Sequence, residues 1–365
     1  MRFANEIRSV RPIPRICWPK FFRCLLLGAL LGTASTLTHA SGARSQSVLS
    51  ASGLTIVLPP RVMAGHPATL AILGADGKLA AGVKVELSDG QSVTTDRTGR
   101  ALFDAPATGD YVLARSSGAL AAALIDPAVA ASEPMATSLP SVVSIHDRFW
   151  ICGAGLRGDA DSNEVKINGQ PALVIAASPI CLVALPPPDA RPGPAAISIE
   201  APGVQSSALT TLVSLEFEAP KPALKPGEKG QLMVHVQGTD KKLPIVIQNE
   251  SPTVLKFVRG DVEERVTGGG SPNFAAIRVQ AIASGAFSFS ARVLQAADTS
   301  SADRYLRAAT PLAPKESRRA VSQLARRLAS HPHDAKKVRA ELKKLAFGTG
   351  ESDFRALLDA ARAVL

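Results

Sequence analysis

"VVSIHDRFWICGAGLRGDADSNEVKINGQPALVI", residues 142–175, decides the fold. Phe149 and Ile151 alternate with Trp150 and Cys152, the period-2 pattern of a strand with two unlike faces. Gly153, Gly155 and Gly158 break the run where a chain must turn without side chains in the way. Asn168-Gly169 follows between two apolar alternations, the strongest short hairpin signal in the chain. Strand, broken loop and hairpin in close succession predict antiparallel β structure.

The same texture extends both ways. Upstream, "ATLAILGADGK" places a turn at Asp76-Gly77, and "GVKVELSDGQSVTTDRTGRALFDAP" places turns at Asp89-Gly90 and Thr98-Gly99. Turn signals at intervals of about 8–12 residues predict a β-sandwich over 54–127. Ala/Ser/Pro-rich residues 128–138 read as a linker, and 139–213 as a second sandwich. A third is expected over 214–296, with clean alternation in "GQLMVHVQG" and "LPIVIQN". Within it, "GDVEERVTGGGSPN" reads as a polar, mobile loop. Its three glycines, 268 to 270, lack the Lys-Ser/Thr and the following helix that a phosphate-cradling loop requires.

From residue 302 the period changes to 3.6. Val321, Leu324, Ala325 and Leu328 form one apolar stripe, Ala335, Val338, Leu342 and Leu345 another, and Phe354, Leu357, Leu358 and Ala361 a third. Residues 302–365 are therefore expected to form three amphipathic helices, bundled or docked on the neighbouring sandwich. The fold class is mainly β: serial immunoglobulin-like sandwiches followed by a small α-helical bundle.

Residues 139–213 resemble an IPT/TIG domain, the immunoglobulin-like module of plexins, some transcription factors and bacterial surface proteins. The likeness rests on "LPSVVSI", "FWICGAGLRGD", "NEVKINGQPALVIAASP", "ICLVALPPP" and "RPGPAAISIEAPG". More loosely, "GVKVELSDGQSVTTDRTGRALFDAPATGDYVL" resembles the immunoglobulin-like repeats of bacterial surface and invasin-type proteins. The first resemblance implies a sandwich used for spacing or binding, with no catalytic residues to carry over. It also implies neighbouring strands for Cys152 and Cys181.

Residues 1–40 carry Arg2, Arg8, Arg11, Arg15, Lys20 and Arg23, then the apolar run Leu25 to Leu31, then Thr38-His39-Ala40. This is the pattern of a signal peptide cleaved after Ala40; the run is too short to span a bilayer, although a retained anchor is the competing reading. Residues 41–53 read as a flexible leader. Neither Cys17 nor Cys24 closes the apolar run, which argues against a lipoprotein. Export leaves Cys152 and Cys181, an even pair that reads as one disulfide in an oxidising compartment, the alternative being two buried thiols. As a disulfide it would add roughly 3 kcal/mol.

The chain of 365 residues has a net charge of +10, and its distribution is uneven. Residues 302–365 hold 14 basic and 7 acidic side chains, whereas 41–301 hold 21 basic and 23 acidic. The basicity belongs to the tail, so the overall charge does not make the chain a nucleic-acid binder. The doublets Arg318-Arg319, Arg326-Arg327, Lys336-Lys337 and Lys343-Lys344 lie off the apolar stripes. They read either as a solvated face or as a docking surface for an envelope protein, or for an anionic polymer or lipid.

Catalytic vocabulary is thin. His146-Asp147 has no serine or cysteine in a recognisable nucleophile turn. "HPHD" at 331–334 is the one metal-like cluster, and it lacks a third or fourth partner for zinc. Asp159, Asp161, Glu263 and Glu264 read as loop acids, and "GDADSN" lacks the spaced glycine and closing glutamate of a calcium loop. No catalytic residue, metal or cofactor is expected. The expectation is an exported, non-enzymatic binding or spacer protein of the cell envelope. The alternatives are a structural accessory of an envelope or secretion assembly, and an enzyme with an unfamiliar site.

Overall fold

The structure, a computed structural model, describes residues 53–128, 139–202, 204–220, 224–258, 260–346 and 352–365. The chain divides into two units, 1–39 and 40–365. The expected signal peptide and nearly all of the leader and linker lie outside the described residues.

Three β cores follow one another. In the first, a five-stranded sheet runs in the order Arg61–Met63, Ala119–Asp126, Tyr111–Ser116, Lys84–Leu87 and Ser92–Thr94. It faces strands Thr55–Val57, Pro67–Leu73 and Arg100–Asp104 across a core that includes Val62, Leu70, Ile72, Val85, Phe103 and Val112. The second core is built on Phe149, Ile151, Val165, Ile167, Leu182 and Ile197. Phe149 and Ile151 point inward, as their alternation with Trp150 and Cys152 requires. Asn168 takes a positive φ of 50°, and Gly169 of 78°, in the hairpin between Glu164–Ile167 and Gln170–Ala177.

The third core gathers Val234, Ile245, Ile247, Phe257, Ile277 and Phe289 between two sheets. The second and third share the 15-residue strand Val204–Glu218. Its first part pairs with Gly193–Ala201 and its last with Lys229–Gln237, so no flexible joint separates them.

The first and second sandwiches are also locked together. Ala177 pairs with Thr69, and Val57, Ala71, Ile175, Ala176 and Val183 bury one another between the two, with Trp150 against them. The loop "GDADSN" is the latch. Thr69 Oγ1 donates to the Gly158 carbonyl at 2.6 Å and accepts from Ala160 N at 3.2 Å, while Arg100 meets Asp161 at 2.7 Å. Only glycine fits at 158, because a Cβ there would lie 1.8 Å from the Pro67 carbonyl oxygen. Asp159 and Asp161 are thus a cap and an ion-pair partner in a tight turn.

"GDVEERVTGGGSPN" contains a strand, Val262–Val266, where a loop was expected. Glu263 is buried and paired with Arg265, so it is no solvated loop acid. In the glycine run, Gly269 N donates to Asn273 Oδ1 at 2.9 Å and Gly270 N to Asp240 O at 2.6 Å. Those amides hold the protein's own loop and are not aimed at a ligand.

Among the described residues four helices lie near the C-terminus, one more than the periodicity predicts: α1 (Thr299–Leu312), α2 (Lys315–Ser330), α3 (Ala335–Ala346) and α4 (Ser352–Val364). The extra helix, α1, starts on a side-chain cap: Asp298 accepts from Ser301 N at 3.0 Å. Pro311 falls in its last turn, which disguises it as a loop in the sequence. The expected stripe residues Val321, Leu324, Leu328, Val338, Leu342, Phe354, Leu357 and Leu358 are buried. They close over Leu124, Tyr111 and Ala122, on the outer face of the first sandwich.

Candidate binding site on the helical cap

The helices cap two sandwiches at once. Toward the first, Tyr305 donates its hydroxyl to Pro60 O at 2.7 Å, and Arg115 meets Asp353 at 2.6 Å. Arg304 and Arg61 both bind Asp126, which is nearly buried and so carries two cations. Toward the third, Arg339 reaches Glu264 at 3.4 Å and Lys343 Nζ donates to Val262 O at 3.0 Å. The basic tail is therefore no free arm hung from the last module; it folds back onto the first.

This packing sorts the eight basic residues singled out by sequence. Arg318, Arg319, Arg326, Lys336, Lys337 and Lys344 are exposed. Arg318 donates to the carbonyls of Pro311 and Ala313, finishing α1, and Arg326 donates to Ser322 O within its own helix. Arg327 is half-buried and held between Asp334 at 2.9 Å and Glu341 at 3.2 Å. Lys337 takes the other oxygen of Asp334 at 2.9 Å. These two cations hold the Asp334 carboxyl down to about 2. The HPHD turn thus uses its one carboxylate to join α2 to α3, and among the described residues no group of three or more His, Cys, Asp and Glu is placed to hold a metal.

Lys336 and Lys343 do something different. They line a cavity of about 240 Å³ between α3, α4 and the sheet carrying Val246 and Val262. Its other charged walls are Arg292, Arg339, Arg362 and Glu264. Arg292 sits on strand Phe289–Val293, turned away from the core that receives Ala291 and Val293. Burial is the main influence on its guanidinium and brings it down to about 10, against the pull of Asp147. Burial likewise lowers Arg339 and Lys343.

The three arginines are each single in the sequence and lack the doublet pattern of the eight basic residues above. The signal was present all the same: Lys336, Arg339 and Lys343 fall at i, i+3 and i+7, one face of a helix.

A larger cavity, about 470 Å³, lies where Trp150 and Ile180 of the second sandwich meet Pro60, Leu294 and Leu365. Its polar groups include Arg61, Arg292, Gln295 and Asp298. No serine, cysteine or histidine there forms a nucleophile–base pair: Cys152 is in a disulfide with Cys181, directly opposite it on paired strands at a Cα–Cα distance of 4.1 Å. His146, His66 and His235 lie elsewhere, and His235 bonds Glu218 at 2.9 Å.

Residues 136–215 match the IPT/TIG domain. No curated protein matches the chain. Among solved structures, the plexin A4 extracellular region is similar at 11% identity and a TM-score of 0.26, over 63% of this chain and 21% of that one. The present chain spans about a fifth of the plexin's length. A Bacteroides ovatus protein of a mixed-linkage glucan utilization locus, SGBP-B, solved with a mixed-linkage heptasaccharide, is similar at 12% identity and a TM-score of 0.23, over 70% and 76% of the two chains. The N-terminal four Ig domains of Dscam1 isoform 7.44 are similar at 8% identity and a TM-score of 0.22, over 67% and 72%. The chain is thus an immunoglobulin-like β protein carrying an IPT/TIG domain and a disulfide.

Proposed function

We propose that this chain is an exported, non-catalytic binding protein of the bacterial envelope, periplasmic or secreted after cleavage near Ala40. The sandwiches hold a basic helical cap in a fixed orientation toward an acidic partner, either an envelope protein or an anionic polymer or lipid. One observation carries the reading. The cap is bolted to the first and third sandwiches, while Arg318, Arg319 and Arg326 of α2 remain exposed on its outside. Residues on a rigid scaffold lose little freedom on binding, which favours recognition by a preset surface. The Cys152–Cys181 bond supports the oxidising compartment.

Deleting the helices would be a poor test, since it uncovers Leu124 and Tyr111. Charge reversal at the three arginines (Arg318→Glu, Arg319→Glu, Arg326→Glu) leaves the core alone. Crosslinking from native envelopes is expected to capture an acidic partner with the parent and to lose it with the triple variant. Equal capture by both would refute the docking face.

A further inference from the structure

The cavity beneath the cap carries an imbalance that the fold alone does not need. Five cationic side chains line it against one carboxylate, Glu264. Arg339 is only 8% exposed, and its Nε has no hydrogen-bond partner among the described residues. The buried Nε of Arg292 is in the same condition. An unpartnered donor on a buried guanidinium is costly, because charge-assisted bonds to water are given up and not replaced.

Nearby carboxylates do not cancel this. Glu263 is committed to Arg265, Glu264 accepts one Arg339 nitrogen at the long distance of 3.4 Å, and Asp147 acts on both Arg148 and Arg292. Asp261, Glu264 and Glu263 all pull on Lys343, but burial and the neighbouring Arg362 outweigh them, and Asp359 is drawn by Arg362 and Arg355 together.

We propose that this cavity is a binding site for a phosphate-class dianion. Arg292 comes from the third sandwich, Lys336, Arg339 and Lys343 from α3, and Arg362 from α4. Cations converging from three elements suit a tetrahedral group, whose oxygens accept from several sides at once; a planar carboxylate would engage one or two of them. A double negative charge also answers the lining's excess of positive charge better than a single one. Burial already holds Arg292, Arg339 and Lys343 below their usual values, and an anion would relieve that strain on each. The site is separate from the outward arginines of α2, none of which lines it. It therefore stands or falls independently of the envelope-docking reading.

The test is titration of the intact chain with inorganic phosphate by calorimetry, with chloride as the control anion and thermal melting in parallel. Saturable, one-to-one phosphate binding with a rise in melting temperature is expected. Arg362→Gln and the exposed Lys336→Gln should each weaken it on the order of tenfold, the scale of one charge-assisted hydrogen bond. Arg318→Gln with Arg319→Gln should leave it unchanged. Circular dichroism confirms that each variant folds. No saturable phosphate binding at millimolar concentration would overturn the proposal, as would equal losses in the pocket and α2 variants. Once phosphate binding is established, vesicles of phosphatidylglycerol in phosphatidylcholine identify the source. Competition with phosphate points to a lipid headgroup; its absence points to free phosphate or a soluble phosphate ester.

Discussion

Substituting alanine at Gly158 tests whether the first two sandwiches are joined as described. No positive φ is required at this position, so alanine meets no local backbone strain, and its whole effect comes from the contact. The new methyl carbon would sit 1.8 Å from the Pro67 carbonyl oxygen, where ordinary contact begins at 3.4 Å. The loop must withdraw by about 1.5 Å, which carries the Thr69–Gly158 bond from 2.6 Å to beyond hydrogen-bonding range and strips Ala160 N of its acceptor. Two buried hydrogen bonds at about 1 kcal/mol each, with overpacking of about 1–3 kcal/mol, put the cost at about 3–5 kcal/mol. Trp150 packs against the apolar cluster between the two sandwiches and is one of two tryptophans in the chain. With Trp18→Phe in the background, urea unfolding followed by Trp150 emission reports on this junction. Gly158→Ala should lower the midpoint and shift the native emission to the red. Gly169→Ala is the control: its φ of 78° costs alanine about 1 kcal/mol, but nothing lies within 4 Å and Trp150 should not respond. A Gly158→Ala protein within about 0.5 kcal/mol of the parent, with unchanged emission, would refute the latch.

Other expectations follow from named contacts. Replacing Cys152 and Cys181 by alanine, or reducing them, should cost about 3–4 kcal/mol for a bridge between residues 29 apart; two titratable thiols in the untreated protein would contradict this. Tyr305→Phe removes the donor to Pro60 O at the seam between cap and first sandwich, and should lower stability by about 1–3 kcal/mol in denaturant melts. Both tyrosines ionise above the usual 10, chiefly because burial disfavours the phenolate. The unfolded chain therefore releases these protons first, so their contribution is intact below pH 10 and stability falls as pH rises past it. Absorbance titration at 295 nm should show both midpoints above 10 in the folded protein, and both returning to it in denaturant.

How much of this was legible in advance divides by range. Alternation at Phe149–Cys152, the Asn168-Gly169 turn and the stripes of α2, α3 and α4 are local patterns, and the structure follows them. The helix α1 is local too, but Pro311 and a run of threonine, serine and alanine hide its period, while the cap at Asp298 was its one clear signal. The Val262–Val266 strand is not legible in the sequence because Glu263 and Glu264 look like loop acids. Arg265, which pairs with Glu263, stands on the same strand; what lies farther along the chain is the strand Pro244–Asn249, with which Val262–Val266 pairs, and, for Glu264, Arg339 on a helix. Gly158 illustrates the limit: one residue's sequence context cannot disclose that Pro67, far along the chain, will rest against it.

The charge of the tail teaches a related lesson about reading function from composition. Taken alone, 14 basic residues against 7 acidic suggest a surface waiting for an anionic partner. The structure assigns part of that charge to the protein itself. Arg304 answers Asp126, Arg339 answers Glu264, and Arg327 with Lys337 encloses Asp334. The sandwiches, slightly acidic as a group, are thus partly neutralised by the helices that cover them. What is left for partners is smaller and falls into two places of different character. On α2 the arginines are exposed to solvent, so any attraction there is screened by salt within about 10 Å. In the cavity Arg339 and the Nε of Arg292 are buried, and an anion bonded to them would be screened less than one on the outer face. Salt titration therefore separates the two: binding at the outer face should fade between low and physiological ionic strength, whereas phosphate binding beneath the cap should persist in sodium chloride.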